Sequence, residues 1–463
     1  MKRIEKDSIG KKEVPEDVYY GVQTQRALEN FPVSGLTESP ELIYSYVTLK
    51  KACAEANMRC GKLDEEKGEY IVKACEEILG GGYEDQFVVD VYQAGAGTSF
   101  HMNVNEVIAN VALELMGEEK GDYDKIHPND HVNMSQSTND TFPTASHIAI
   151  IESSDALHPI LDSVSRSFKA KGEEFQDIGK SGRTHLMDAT PISLGDEFLG
   201  YSSAIERAKD RLEDSKHGLL ELPIGGTATG RGANTPEGFR EIVIERLSDI
   251  LDRDFQEARN SFELNNSRSQ MADHSSSLKD LASELIRIAN DLRLLASGPK
   301  TGLGEIELPE VQPGSSIMPG KVNPVMAECL NMISFQIVGR DSAVSLANQA
   351  GQMEMNVMVP LIAYNILDSI KLLINYLPVF EERCVKGIKA RKEVCEKNLK
   401  NTPALATLLS PEIGYIEAAD LAKEAMEKDI PIPELARKKD ILPEEKLDEI
   451  FDQDKMIENK YRD

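Results

Sequence analysis

Apolar positions recur along most of this chain at three- and four-residue spacing, the period of an amphipathic helix and not of a strand. Residues 41–79 follow it, with an interruption at Gly61-Lys62-Leu63-Asp64. They predict a helical hairpin that Gly80-Gly81-Gly82 brings to an end. Residues 143–175 predict a long helix, interrupted or kinked near Pro159, because proline lacks the N–H and crowds the preceding turn. Residues 194–219 and 262–296 predict two more. Residues 324–384, rich in Ile, Leu, Val and Met, predict a largely helical stretch with a kink or break at Pro360. Helices of this length point to a bundle. Segments 334–339 and 356–363 are apolar on more than one side, which marks a core or subunit-contact element and predicts an oligomer.

The helical period fails between residues 298 and 320, where glycine and proline recur nine times from Gly298 to Gly320. A structureless loop of that length in a helical protein is functional or disordered, and the polar motif at its end favours a mobile lid. From about residue 401 the helices shorten around Gly414, Pro431, Pro433 and Pro443, predicting a small C-terminal domain and a frayed charged tail over 452–463.

The chain has 463 residues, enough for two to four domains, with 40% apolar and 28% charged residues. A membrane span needs roughly 18 consecutive apolar residues, and the sequence has no such run. The first residues are charged and lack the apolar core of a secretory signal. Six scattered cysteines form no C-x-x-C pair and no zinc-spaced cluster, as expected of idle thiols in a reducing, cytoplasmic compartment. A net charge of −27 argues against nucleic-acid or anionic-membrane partners. It also requires that any site for an anionic substrate be locally positive, through lysine, histidine or helix N-termini.

Four polar segments are candidates for chemistry. Residues 314–324, Gly-Ser-Ser-Ile-Met-Pro-Gly-Lys-Val-Asn-Pro, combine two hydroxyls, a cation, an amide and two glycines. Gly314 and Gly320 let backbone N–H groups approach a ligand, Lys321 offers a point charge, and Ser315 and Ser316 offer a donor, acceptor or nucleophile. Gln93-Ala-Gly-Ala-Gly-Thr-Ser99 is a small-residue loop opening a helix, an anion cradle with no dinucleotide fingerprint. Ser135-Gln-Ser-Thr-Asn-Asp140 precedes a helix starting near Pro143 and serves equally as a cap. Gly182-Arg-Thr-His185 offers an imidazole that is either structural or functional.

Five segments in order resemble the fumarase/aspartase superfamily over essentially the whole chain. They are Asp17-Val-Tyr-Tyr-Gly-Val-Gln-Thr-Gln-Arg26, residues 93–106, Ser137-Thr-Asn-Asp140, Gly182-Arg-Thr-His185 and residues 314–324. The resemblance implies an all-α fold in three domains, here 1–140, 141–395 and 396–463, with a central five-helix bundle. It implies a homotetramer with a twenty-helix core and active sites composed from three subunits. It implies that Ser315 is the base. Thr98, Ser137, Thr138 and Ser316 then hold the carboxylate next to the ionising carbon, and Lys321 and Asn323 hold the other. Asn139, Thr184 and His185 meet the leaving group. The substrate is a small molecule, and no metal or organic cofactor is implied. One departure is Phe100-His101, where family members usually carry a small or polar residue and an asparagine.

Within the superfamily, Tyr92-Gln-Ala-Gly-Ala-Gly97, Val325-Met-Ala-Glu328 and Cys384-Val-Lys-Gly-Ile388 resemble aspartases. Fumarases tend to carry tryptophan at position 92, and this chain has none. Gly302-Leu-Gly-Glu305, Ala189-Thr-Pro191 and Ile362-Ala-Tyr-Asn365 resemble fumarases instead. The expected reaction is reversible loss of ammonia from L-aspartate to give fumarate. The alternatives are a class II fumarase and, more distantly, a non-enzymatic structural protein of the same fold. Serine is a poor base in water, so the chemistry requires an alkoxide stabilised by N–H groups and Lys321 in a closed site.

Overall fold

A computed structural model of the chain describes residues 1–459. The fold is predominantly helical, and its sheets among the described residues are small two-stranded ones. The predicted hairpin is present as helices Pro40–Arg59 and Glu65–Leu79. Ser39 caps the first by accepting from the Leu42 N–H, with Pro40 in the first turn, and Asp64 caps the second by accepting from the Lys67 N–H.

Five long helices follow: Thr138–Glu174, Leu194–Ser215, Ser269–Leu295, Val325–Gln349 and Val359–Arg383. Their buried positions keep the predicted period, as in Leu157, Leu161, Val164 and Phe168, or Leu278, Leu281, Leu285, Ile288 and Leu292. The chain divides into two compact units, and each long helix has residues in both. One unit comprises Met1–His158, Asp210–Ala282 and Phe335–Ile374, and the other Pro159–Lys209, Ser283–Ser334 and Asn375–Asp463. The first centres on edge-to-face contacts among Tyr46, Phe100 and Phe142, the second on Phe168, Phe175, Phe198 and Tyr201. Leu399, Leu405, Leu409, Leu421, Leu435 and Leu447 form a further cluster near the C-terminus. The tail expected over 452–463 includes a short helix, Gln453–Met456, and residues 460–463 lie outside the described ones.

Several local expectations are corrected. The helix expected from Pro143 starts at Thr138 and runs through Pro159, where buried Leu157, Leu161 and Val164 pack on either side of the lost hydrogen bond. Pro360 breaks nothing. It is the second residue of its helix, where a missing N–H has no partner to lose. The break lies upstream, where Gln352 and Met355 exchange backbone hydrogen bonds and the Asn356 amide donates to the Ala347 and Asn348 carbonyls. Residues 298–320 are not structureless throughout, since Ile306–Glu307 pairs with Lys389–Ala390 beside fully buried Glu305. Segments 334–339 and 356–363 are buried on one side only within the chain. Phe335 is 57% exposed, and Val357 and Met358 are each 41% exposed.

Candidate active site

The Gln93–Ser99 loop opens the helix Thr98–Leu115, as its sequence predicts. The Ala96 N–H donates to the Val357 carbonyl (2.7 Å) and the Phe100 N–H to Gln93 Oε1 (2.8 Å). Gly97 has φ +85°, and a Cβ there would stand 2.1 Å from the Phe142 ring, so no side chain fits. Thr98 is exposed at the edge of a cleft of about 710 Å3 whose walls carry Lys6, Glu106 and an ion pair of Arg26 with Asp7 at 2.7 Å.

Ser137 serves as the helix cap that its sequence allowed. As a cap, its Oγ accepts from the Asn139 N–H (3.2 Å), while its own N–H donates to Asp140 Oδ1 (3.0 Å). Asp140 is fully buried and also accepts from the Gly225 and Thr227 N–H groups through Oδ2. Burial pushes its carboxyl up to about 6 against those hydrogen bonds. Ser137, Thr138 and Asn139 are thereby held on one rigid turn. The Asn139 amide nitrogen donates to the Ala228 carbonyl, which leaves its oxygen for a ligand.

Behind Thr138 lies a buried polar cluster. His101 Nδ1 is 2.6 Å from Thr138 Oγ1 and His101 Nε2 is 2.7 Å from Lys50 Nζ. Lys50 also donates to Gln136 Oε1 (2.8 Å) and Asn133 Oδ1 (3.2 Å). Tyr46 stacks on the imidazole with centroids 5.5 Å apart. Burial lowers Lys50 to about 7, and burial together with the Lys50 charge holds His101 well below the usual imidazole range. The motifs did not single out Lys50, Asn133 or Gln136. A signal existed for Lys50: it shares a helix face with Tyr46, Cys53 and Asn57, all buried, at four- and three-residue spacing.

Thr184 and His185 sit at the tip of an antiparallel hairpin, Gly179–Thr184 with Met187–Ser193. The helical period gave no warning of it. The turn residues His185 and Leu186 have φ +56° and +61°, conformations that bulky residues rarely adopt. Leu186 is 72% exposed there, so no burial offsets that strain, a pattern that clusters at functional sites. The hairpin is anchored by Arg183, which donates both terminal nitrogens to Glu305 (2.7 and 2.9 Å). Lys180 is 3.0 Å from the same carboxylate and 2.7 Å from Glu197. Arg183 and Lys180 hold Glu305 below its ordinary value against the opposing effect of burial.

Loop 314–324 organises itself around one hydroxyl. Ser315 Oγ accepts from the Ile317 N–H (3.2 Å) and the Met318 N–H (3.0 Å). The Gly314 N–H donates to the Lys321 carbonyl (2.8 Å), and the Asn323 amide nitrogen donates to the Gly314 carbonyl (2.7 Å). A Cβ at Gly314 would stand 2.5 Å from that Lys321 oxygen, so glycine is required for the closure. Ser316 and Lys321 are exposed, and among the described residues the Lys321 ammonium makes no ion pair.

The candidate residues therefore form three separate groups. Thr98, Ser137, Thr138 and Asn139 belong to the first unit, with His101 linking their helices. Thr184 and His185 share a hairpin tip, and Ser315, Ser316, Lys321 and Asn323 share a loop. Among the described residues no hydrogen bond joins that tip to that loop. The six cysteines are free thiols. No helix among the described residues is long and apolar enough to cross a membrane.

A family model described as a lyase matches residues 10–339, and one for the fumarase C C-terminus matches residues 405–458. An aspartate ammonia-lyase of a Bacillus species is 48% identical over 449 residues, covering 97% of this chain and 96% of the relative. A class II fumarate hydratase of Brucella suis is 45% identical, covering 98% of each. A solved fumarate lyase/delta crystallin from Brucella melitensis bound to cobalt superposes with a TM-score of 0.96 at 44% identity, over 99% of this chain and 100% of that one. Matches of this extent, on a helical fold that carries all five motifs, place the chain in the fumarase/aspartase superfamily of lyases.

Proposed function

We propose that the enzyme is an aspartate ammonia-lyase, eliminating ammonia reversibly from L-aspartate to give fumarate. The observation that carries the chemistry is the pair of backbone N–H groups donated to Ser315 Oγ. Two donors on a serine oxygen favour its alkoxide, as an oxyanion hole favours a developing charge. Ser315 then removes a proton from the carbon beside the side-chain carboxylate of aspartate. The electron pair moves into that carboxylate as a dianionic aci-carboxylate. Its return forms the carbon–carbon double bond as the carbon–nitrogen bond breaks and ammonia leaves.

Thr98, Ser137, Thr138 and Ser316 supply hydroxyl donors for the aci-carboxylate. Each donor aimed at that charge lowers the barrier by about 3–4 kcal/mol. Lys321 and Asn323 hold the second carboxylate. The Asn323 amide also closes the loop through Gly314, so it keeps one N–H for substrate. Asn139, Thr184 and His185 meet the leaving group. The steps call on no metal or organic cofactor.

The choice of ammonia over water rests on the aspartate ammonia-lyase relatives and the aspartase-like segments. Class II fumarase is the second reading, supported by the Brucella hydratase at 45% identity. Loss of fumarate absorbance on adding ammonium, with an ammonium-free control, separates the two. Good hydration of fumarate to malate without ammonia-dependent turnover replaces the first reading with the second.

The three-domain division at 1–140, 141–395 and 396–463, a cytoplasmic location and a homotetramer with composite sites complete the proposal. Exposed Met332, Phe335 and Leu346 on the Val325–Gln349 helix, at 64%, 57% and 68%, support subunit contact. Mixed Ser315→Ala and Thr184→Ala subunits should regain activity through hybrid sites carrying neither change. No complementation despite proven subunit exchange would overturn composite sites.

A further inference from the structure

The cluster behind Thr138 is built as a directed chain of hydrogen bonds. The amide orientations come first. Gln136 Nε2 donates to the Val132 and Met134 carbonyls, both at 3.0 Å, so its oxygen faces Lys50. Asn133 Nδ2 is directed at the Gln136 carbonyl (3.4 Å), so its oxygen faces Lys50 too. An ammonium has three donors and no acceptor. Its third donor meets His101 Nε2 at 2.7 Å, and that nitrogen must accept.

A neutral imidazole whose Nε2 accepts carries its proton on Nδ1. Nδ1 therefore donates to Thr138 Oγ1 at 2.6 Å. A hydroxyl oxygen that accepts this bond keeps its own proton for another partner. The Tyr46 ring, stacked on the imidazole at 26°, fixes the ring plane, while the Tyr46 hydroxyl is tied to Thr141 Oγ1 at 2.8 Å. His101 is 1% exposed, too buried to meet a ligand itself, so it acts through Thr138.

We infer that His101 is a positioning residue: with Lys50 setting its tautomer, it commits the Thr138 hydroxyl to donate toward a substrate carboxylate. The inference rests on the proposed role of Thr138 at that carboxylate. It gives a use to one of the two motif positions that depart from the family pattern. Asparagine places an amide nitrogen where the imidazole carries Nδ1, so either residue can make the donation, and only histidine extends it to Lys50.

The test uses the intact enzyme and succinate, a dicarboxylate that no elimination consumes, so the readout is independent of which leaving group the enzyme expels. Affinity is measured below pH 7, the value to which burial lowers Lys50. Thr138→Val should weaken succinate binding about 5- to 20-fold, the scale of one hydrogen bond to a charged group. His101→Leu should weaken it comparably and lower kcat by no more than Thr138→Val does, because the same hydroxyl donor also serves the aci-carboxylate. The double variant should bind no more than about twofold worse than Thr138→Val, because the two changes remove one interaction. His101→Asn should restore wild-type affinity within about twofold, since it keeps the donor.

If Thr138→Val weakens binding and His101→Leu does not, or if their effects add fully, the inference is overturned and the proposed role of Thr138 stands. If Thr138→Val binds succinate as wild type does, both fall. Should His101→Leu fail to fold, the ring 15N spectrum of the wild-type enzyme decides. The resonance that disappears in His101→Asn should report a protonated Nδ1 and a bare Nε2, and a protonated Nε2 overturns the inference.

Discussion

The turn at residues 135–140 and the loop at residues 314–324 are both short, polar and rich in hydroxyls, yet the fold treats them oppositely. Around the first, buried partners answer the polar groups: Ser137 caps, Asp140 collects three backbone N–H groups, and His101 and Lys50 stand behind Thr138. The second is held by its own backbone, with Ser315 Oγ the one side-chain oxygen that gathers N–H donors, and with Ser316 and Lys321 exposed. The difference fits the roles proposed for the two segments. A wall that recognises a carboxylate gains from donors fixed before the substrate arrives. A loop that supplies the base and closes over the substrate must keep its charge unspent until closure.

The largest break in this comparison is at Ser315. Ser315→Ala should lower kcat by at least about a hundredfold, the usual scale for a general base. Thermal stability and assembly should stay near wild type, because the lost hydroxyl touches only two N–H groups of its own loop. A folded variant with near-normal kcat would transfer the assignment to Ser316.

Next comes the unpaired cation. Lys321→Met should cost about ten- to a hundredfold in kcat/KM for aspartate, the worth of a charge-assisted hydrogen bond. Raising salt should not mimic the loss, since a closed site is poorly screened. Substrate titration of both proteins decides the matter. Values that agree within about twofold remove Lys321 from the carboxylate-binding role.

Much of this division was legible in the sequence. The helical period located the long helices, because burial of Leu157, Leu161, Val164 and Phe168 follows it directly. Glycine spacing marked the 93–99 and 314–324 loops, because Gly97 and Gly314 occupy places where a Cβ collides. What stayed illegible depended on tertiary partners. Pro360 looked like a breaker, and only its place in the first turn of a helix makes it harmless. The hairpin carrying His185 has no glycine or asparagine at its turn to announce it. No motif contained Lys50, and although its helix face pointed inward, only the packed fold reveals the amides and imidazole that receive it.

Two glycines sharpen the contrast. Gly97→Ala should cost about 2 kcal/mol or more of stability, combining a left-handed backbone with a collision against Phe142. Gly314→Ala should leave thermal stability almost unchanged and cut kcat about tenfold or more, because displacing the Lys321 carbonyl shifts the loop around Ser315. Melting curves and turnover on the two variants test the pair. If Gly314→Ala also melts early, that loop is part of the stable core and the contrast fails.

The smallest effect is a slope. Burial lowers the folded-state pKa of Lys50 from 10.5 to about 7, so between those values the unfolded chain holds a proton that the folded chain has released. Stability then rises with pH across that window, by at most about 1.4 kcal/mol per pH unit for one proton. Below about 7 both states carry the proton and the full cost of burying the charge is present. The other titratable groups facing Lys50 are Tyr46, Cys53, Cys75, Asp140 and His101. Burial raises both thiols, Cys75 to about 12, and holds the Tyr46 phenol well above its usual range, while Asp140 titrates near 6, so none of the five changes charge between 7 and 10.5 in the folded state. The measurement is the stability difference between wild type and Lys50→Met at fixed protein concentration, across pH 7 to 9.5. Subtraction removes every titration that the two proteins share. A difference that climbs with pH places a buried, depressed lysine behind Thr138. A flat difference means that Lys50 keeps its proton throughout, and the buried cluster is then a fixed cation and not a titrating one.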